Sequence, residues 1–382
     1  MRHNEKPKIG FVLVQNDLGG HTKFCVNLSR HLNESGFETI LLVPILTHFY
    51  YTKRFIVGGR RKFLLIWIRY LLSQIKQEFF HRHFQFLGKK ILSNSIKVQR
   101  YLTSPSINQL NYFDIVITSA HWQLKELEDK GLSLKKIVHV IHHLHTHDRE
   151  EIDHRFTDGR VNLVVSSEFT AKNAVSLGIN NSSLIHLGVD LRSFKPKKDK
   201  IFDNTVSAKI GFFYYPNERK NPKLVLDLVN SILNWKSNCE IIIFGNNFPL
   251  KNSRIKIYEY LDEQKYANLI RDLDLFVYAS RMEGFGLPPL EAMASGVAVI
   301  ASDVGAVNEY MNSNLDGIVM PISSGYIEFF SAIKKIVQND ILREHISKNA
   351  VIKAQSWNWE ATNQKYLQLI NKAILDLKES EK

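Results

Sequence analysis

Two glutamates eight positions apart, Glu283 and Glu291, sit in the stretch SRMEGFGLPPLEAMASGVAVIASD, residues 280–303. Between them lie Gly284, Gly286 and the pair Pro288–Pro289. The preceding run, DLFVYAS, reads as a buried strand ending at Ser280. Glu283 to Leu287 then form the bend at that strand's C-terminal edge, where open α/β sheets bind ligands. Tandem prolines suit a helix start, because a first-turn proline gives up no intrahelical bond. The helix is expected over about 289–295, stopped by Gly296. Glu291 then lies in the first turn, where the helix dipole favours a carboxylate, and Glu283 stays on the loop. Gly284 and Gly286 let backbone N–H groups turn outward and approach a ligand closely. Carboxylate acceptors beside amide donors match the alternating hydroxyls of a sugar or a ribose. The plainer alternative is a helix-capping Glu291 and glycines that make a tight loop.

The elements that must position this bend follow a repeated alternation. KIGFVLVQ (residues 8–15) reads as a buried strand, leads through NDLGGHTKF into the helical FCVNLSRHLNESG, and is followed by the strand FETILLVP. Further strands are expected at 113–120, 136–142, 161–167 and 182–188, with helical patterns between them. The polar stretch DLRSFKPKKDKIFDN, residues 190–204, reads as a linker. Strand and helix patterns then restart, from AKIGFFYY through CEIIIFG and DLFVYAS to VAVIAS and DGIVM. The expected fold class is α/β, with two Rossmann-like doubly wound domains facing across a cleft. The domains are expected at 1–195 and 205–355, with a closing helix over 356–382 that packs back on the first domain.

EGFGLPPLEAMASGVAVIASDVGAVNEY resembles the E-x7-E motif of retaining glycosyltransferases of family 4, which have the GT-B fold. NDLGGHTKFCVNLSRHLNESGFE is similar to the family's Gly-Gly loop and following helix, and SWNWEATNQKYL to its closing helix. VNLVVSSEFTAKNAVSLG and LIHLGVDLRSFKP are similar to the segments leading to its domain crossover. The resemblance covers nearly the whole chain except about 48–112. It implies that Glu291 binds the ribose diol of a nucleotide. Glu283 and the amides of Phe285, Gly286 and Leu287 would hold the transferred sugar, Gly284 would belong to the same donor-binding bend, and the Gly19–Gly20 amides would meet the donor phosphates. It also implies transfer with retention: the acceptor hydroxyl attacks on the face the diphosphate leaves, and the departing phosphate oxygen takes the proton. The two glutamates are then holders rather than an acid–base pair.

A departing diphosphate needs positive charge where negative charge develops. The family usually supplies an arginine and a lysine after the first strand of the second domain. In FFYYPNERKNPK, Lys220 matches the lysine, but Tyr214 or Tyr215 stands where the arginine is expected, with Arg219 as the substitute. HVIHHLHTHD, residues 139–148, is a dense histidine cluster. His142 matches a family histidine facing the acceptor side, with His143 as the alternative and His121 at another strand end. No metal site is expected, because no carboxylate pattern completes the set. No cofactor is expected beyond the nucleotide-sugar co-substrate.

The chain has 382 residues, more than one core usually serves, and a hydrophobic fraction of 44% that marks a folded protein. Cys25 and Cys239 are too few and too far apart for a disulfide framework or zinc site, which suits a reducing cytosol. No secretory signal is read in MRHNEKPKIGFVLVQ, and no run reaches the roughly 18–20 apolar residues of a spanning helix. The net charge is +12, and residues 51–100 alone hold twelve Lys and Arg against one Glu. On a helix, Lys62, Arg69 and Lys76 share a face, while Leu64, Ile68, Leu71, Leu72, Ile75 and Phe79 crowd another and Trp67 can sit at the boundary. Such a segment suits an anionic membrane surface; the alternative is a helical elaboration whose apolar face is core. Nucleic acid is not expected as a partner, since no recognised module surrounds the patch. Together these readings anticipate a peripheral inner-membrane glycosyltransferase acting on a lipid-linked acceptor in bacterial surface-glycan assembly. The alternatives are a GT-B epimerase or hydrolase, and a non-catalytic binder.

Overall fold

The computed structural model describes residues 6–13, 20–44, 96–101, 104–144, 150, 152–198, 208–235, 238–259 and 261–380. Lys62, Trp67, Arg69, Lys76 and most of the basic segment lie outside these residues, as does Gly19. The first sheet consists of β1 (Lys8–Val12), β2 (Glu38–Pro44), β3 (Lys97–Tyr101), β4 (Ile115–Thr118), β5 (Ile137–Ile141), β6 (Asn162–Val165) and β7 (Ser182–Leu184), with apolar, β-branched runs in its inner strands and not at its edges, β3 and β7. Their order is β3-β2-β1-β4-β5-β6-β7, and every pair is parallel. β4 and β5 are buried along their whole length, as strands covered on both faces must be. The last expected strand, 182–188, is regular only to Leu184. β3 falls within the stretch that the sequence left without a strand.

The helices of this half are α1 (Gly20–Glu34), α2 (Ile107–Asn111), α3 (His121–Asp129), α4 (His154–Thr157) and α5 (Glu168–Ser176). The second half repeats the plan with β8 (Ala208–Tyr214), α6 (Pro222–Trp235), β9 (Cys239–Gly245), β10 (Ile255–Tyr258), α7 (Glu263–Arg271) and β11 (Leu275–Tyr278). It continues with α8 (Leu287–Ala294), β12 (Ala298–Ser302), α9 (Val307–Tyr310), β13 (Ile318–Met320), α10 (Tyr326–Val337) and α11 (Asp340–Gln355). Its parallel sheet runs β10-β9-β8-β11-β12-β13. α6 shows why such helices form: Leu224, Val225, Leu228, Val229 and Ile232 recur at helical spacing and are all buried against the sheet.

In both sheets the strand order reverses beside the first strand, between β1 and β4 and between β8 and β11. Crevices at the C-terminal ends of such strands are where doubly wound sheets take ligands. The last helix, α12 (Trp359–Ser380), returns to the first half. Val189 N–H donates to the Trp357 carbonyl at 2.8 Å, and the Tyr366 ring lies 5.3 Å from that of Phe24 on α1. Gly188 permits the crossing, since a Cβ there would come within 2.4 Å of the Asn358 and Trp359 backbone. Among the described residues no helix is long and apolar enough to cross a membrane.

Candidate active site

The site is built where the strand ends of the two halves meet. After β11 the chain passes through Ser280 and the bend 281–286 into α8, whose N-cap is Gly286 at φ 88°. That left-handed conformation suits glycine, and the Tyr310 hydroxyl holds it by donating to the Gly286 carbonyl at 2.6 Å. Because α8 begins at Leu287, Glu291 is its fifth residue and not part of the first turn; the helix-dipole argument for this carboxylate is corrected accordingly. Glu291 is buried, and burial raises its pKa, opposed by the ammonium of Lys23. Lys23 comes from α1 in the opposite half, with Nζ 3.6 Å from Glu291 Oε1 and 5.2 Å from the centre of the Tyr266 ring. Capping is therefore not what holds Glu291 in place. A lysine reaching across the interface is its counter-charge.

Glu283 stays on the loop and forms a short ion pair with Lys220. Lys220 ends a tight turn, Glu218–Lys220, that Asn217 caps by accepting from the Arg219 amide at 2.9 Å. Its ammonium also lies 3.4 Å from the Tyr278 hydroxyl, whose pKa burial pushes far up, with Glu283 adding to the effect. Arg219 is exposed and helps line a pocket of about 400 Å3 with Tyr215, Lys220, Asn246 and Asn247. Tyr214 packs inward, its ring 4.8 Å from Phe248, so Tyr215 is the residue that takes the expected arginine's place at the pocket.

Gly284 behaves differently from expectation. A Cβ on it would lie 1.7 Å from the His142 carbonyl oxygen, so the space this glycine leaves is taken by first-half backbone and not by a ligand. Its own carbonyl accepts from the Ser167 hydroxyl at 2.9 Å. Phe285 is buried between Tyr310 and Trp357, and Leu287 is half-buried at the helix start. Gly20 is the first residue of α1.

His142 follows β5 at the same junction, half-buried, with Nε2 3.1 Å from His21 Nδ1. The other nitrogen of His21 lies 3.1 Å from the Ser119 hydroxyl, after β4. Burial lowers the pKa of His21 to about 4 and that of His142 well below the usual range, so both rings are neutral at pH 7. His143 is exposed, and His121 starts α3 with its ring 5.9 Å from His139. Among the described residues no three His, Cys, Asp or Glu side chains gather as a metal site. Sequence reasoning assigned no role to Lys23, His21, Ser119 or Glu309. The Glu309 carboxylate accepts from the amides of Glu168 and Phe169 at the start of α5, at 3.0 and 3.2 Å, and meets His186 Nε2 at 2.9 Å. Glu309 and Gly284 thus fasten the two halves beside the site.

Residues 197–352 match the model of the family described as glycosyl transferases group 1. That match covers most of the second half and less than half of the whole chain. Over 179 residues the chain is 30% identical to the lipopolysaccharide core biosynthesis mannosyltransferase LpsB of Rhizobium meliloti, covering 41% of this chain and 49% of that protein. A 55-residue stretch is 54% identical to the lipopolysaccharide core biosynthesis mannosyltransferase LpcC of Rhizobium leguminosarum, 14% of this chain and 16% of that one. The matches thus span half or less of these curated relatives. The Anabaena protein Alr3699/HepE, solved in complex with UDP and glucose, superposes with a TM-score of 0.70 at 14% identity, over 96% of this chain and 100% of that one. That likeness, with two parallel sheets of seven and six strands, establishes the GT-B fold.

Proposed function

We propose that this chain is a glycosyltransferase that moves a sugar from a nucleotide-sugar donor, with retention, to a lipid-linked glycan in the assembly of a bacterial surface polysaccharide such as lipopolysaccharide or capsule. The observation that carries the reading is the pair of buried or half-buried carboxylates, Glu283 and Glu291, at the C-terminal strand edge of the second sheet, each beside a lysine. Glu291 accepts from the ribose diol, and Glu283 from hydroxyls of the transferred sugar. Lys220, with Arg219 at the pocket rim, faces the phosphates as they gain charge, and the partial burial of Lys220 strengthens its electrostatic contact.

The reaction then needs no protein base. The acceptor oxygen forms its bond to the anomeric carbon as the bond to the diphosphate oxygen breaks, and that oxygen takes the acceptor's proton. His142 is neutral and can bond to a hydroxyl of sugar or acceptor, so its work is positioning. No metal is required in this scheme, because the cationic side chains neutralise the diphosphate. The similarity to two lipopolysaccharide core enzymes supports a surface glycan, and the basic, aromatic segment around 51–100 supports an acceptor presented at the inner face of an anionic membrane.

The test is transfer of radiolabel from UDP-, GDP-, ADP- and dTDP-sugars to a bacterial lipid extract, with the anomeric configuration of the product read by NMR. Transfer lost in Glu283→Ala supports the proposal. Absence of transfer from every donor, or an inverted product, counts against it.

A further inference from the structure

We propose that Lys23 on α1 is a diphosphate-binding residue of the donor site, supplied by the domain opposite the one that holds the nucleotide. The inference rests on the nucleotide-sugar reading above and adds a residue that reading does not use.

In a nucleotide sugar the two phosphates are the segment that joins ribose to sugar. If Glu291 takes the ribose and Glu283 the sugar, the phosphates lie between the two carboxylates. Two unpaired carboxylates flanking a diphosphate diester, which carries two negative charges, would repel it. Each of these carboxylates has its own lysine: Lys220 on Glu283, and Lys23 at 3.6 Å from Glu291. The two ammoniums therefore sit at the two ends of the line that the diphosphate must occupy, and their summed charge equals its charge.

Lys23 is also free to change partner. At 3.6 Å its contact with Glu291 is an ion pair longer than a charge-assisted hydrogen bond, and its side chain keeps 28% exposure. The flat face of Tyr266, 5.2 Å away, supports the ammonium without tying it to one oxygen. When ribose hydroxyls bond to Glu291, the lysine loses part of its attraction there and turns to the neighbouring phosphate. Its position in the first turn of α1 also ties phosphate binding to closure, since the ammonium reaches the second domain only while the interface beside Gly284 is shut.

The experiment is isothermal titration of the full-length protein and of Lys23→Met and Lys23→Arg with UDP, GDP, ADP and dTDP and with the matching nucleosides. For whichever base binds, the readout is the ratio of diphosphate to nucleoside affinity. Lys23→Met is expected to lower that ratio by about ten- to hundredfold, as the loss of one bond to a charged group does, with nucleoside affinity kept or improved. Lys23→Arg, which keeps the charge, is expected to stay within a few-fold of the parent, and matched melting temperatures exclude misfolding. An unchanged ratio in Lys23→Met overturns the inference and leaves the nucleotide-sugar reading standing. So does an equal gain for nucleoside and diphosphate, which makes Lys23 only a latch on Glu291. If the parent protein binds none of the diphosphates, both fall together.

Discussion

Replacing Gly284 by alanine tests how closely the site depends on the fit between the halves. The added Cβ would lie 1.7 Å from the His142 carbonyl oxygen, 2.7 Å from its carbonyl carbon and 2.9 Å from the His143 Cα. Ordinary contact begins near 3.4 Å, and the obstructing atoms are backbone, with no flexible tip to move aside. The bend and the end of β5 must therefore part by about 1.7 Å. Overpacking of this kind costs about 1–3 kcal/mol. Losing the bond from Ser167 to the Gly284 carbonyl adds about 1 kcal/mol. With an unfolding entropy of about 2 cal/mol/K per residue, a chain of this size melts roughly 1–2 °C lower for each kcal/mol, so a fall of about 2–6 °C is expected. The effect on chemistry is larger, because the shift lies between His142 and Glu283 and a misplacement near 1 Å costs on the order of a hundredfold in rate. Differential scanning fluorimetry and transfer kinetics read the two effects separately. Gly325→Ala is the control: its Cβ would meet only the tip of Glu328 at 3.5 Å, so turnover should stay at the parent level and melting should fall by no more than about 1–2 °C, the cost of alanine at the N-cap of α10. Parent-like melting in Gly284→Ala would refute the packing argument. Lowered melting with parent-like turnover would refute the link from packing to catalysis.

Lys220→Met removes the cation beside Glu283 and should lower kcat by on the order of 10²–10³, measured by initial rates at saturating donor. Glu309→Ala strips the α5 amides and His186 of their shared acceptor. It should cost about 2–3 kcal/mol, seen as a lower urea midpoint at unchanged far-UV circular dichroism. The protein should also lose stability on mild acidification. His21, His139 and His142 are held neutral by burial, so between about pH 6.5 and pH 4 the unfolded chain takes up protons that the folded one refuses. Their effect is absent above pH 6.5 and grows as pH falls. For His21 alone it is on the order of 3 kcal/mol by pH 4, and a melting temperature unchanged from pH 7 to pH 5 would contradict it.

Much of the architecture was legible because parallel strands buried on both faces read as short continuous apolar runs, as in DLFVYAS and VAVIAS. Two of the four edge strands, β3 and β10, carry no such signal for the opposite reason. β3 and β10 are largely exposed, carry Lys97, Arg100 and Lys256, and have no such run. The double proline points to a helix start two residues later than the one observed, since Leu287 enters α8 ahead of both prolines through the left-handed turn at Gly286. That small shift moved Glu291 out of the first turn and changed what stabilises its charge.

By itself the sequence determined the residue types and spacing that put Glu283 on a loop, Glu291 in a helix and Lys220 after β8, because strand, turn and helix signals act over a few residues. Only the tertiary structure decided which charge meets which. Lys23 and Glu291 are separated by most of the chain, and Gly284 and His142 lie in opposite halves of it; the folding of two sheets onto each other, with no local signal for it, brings each pair together.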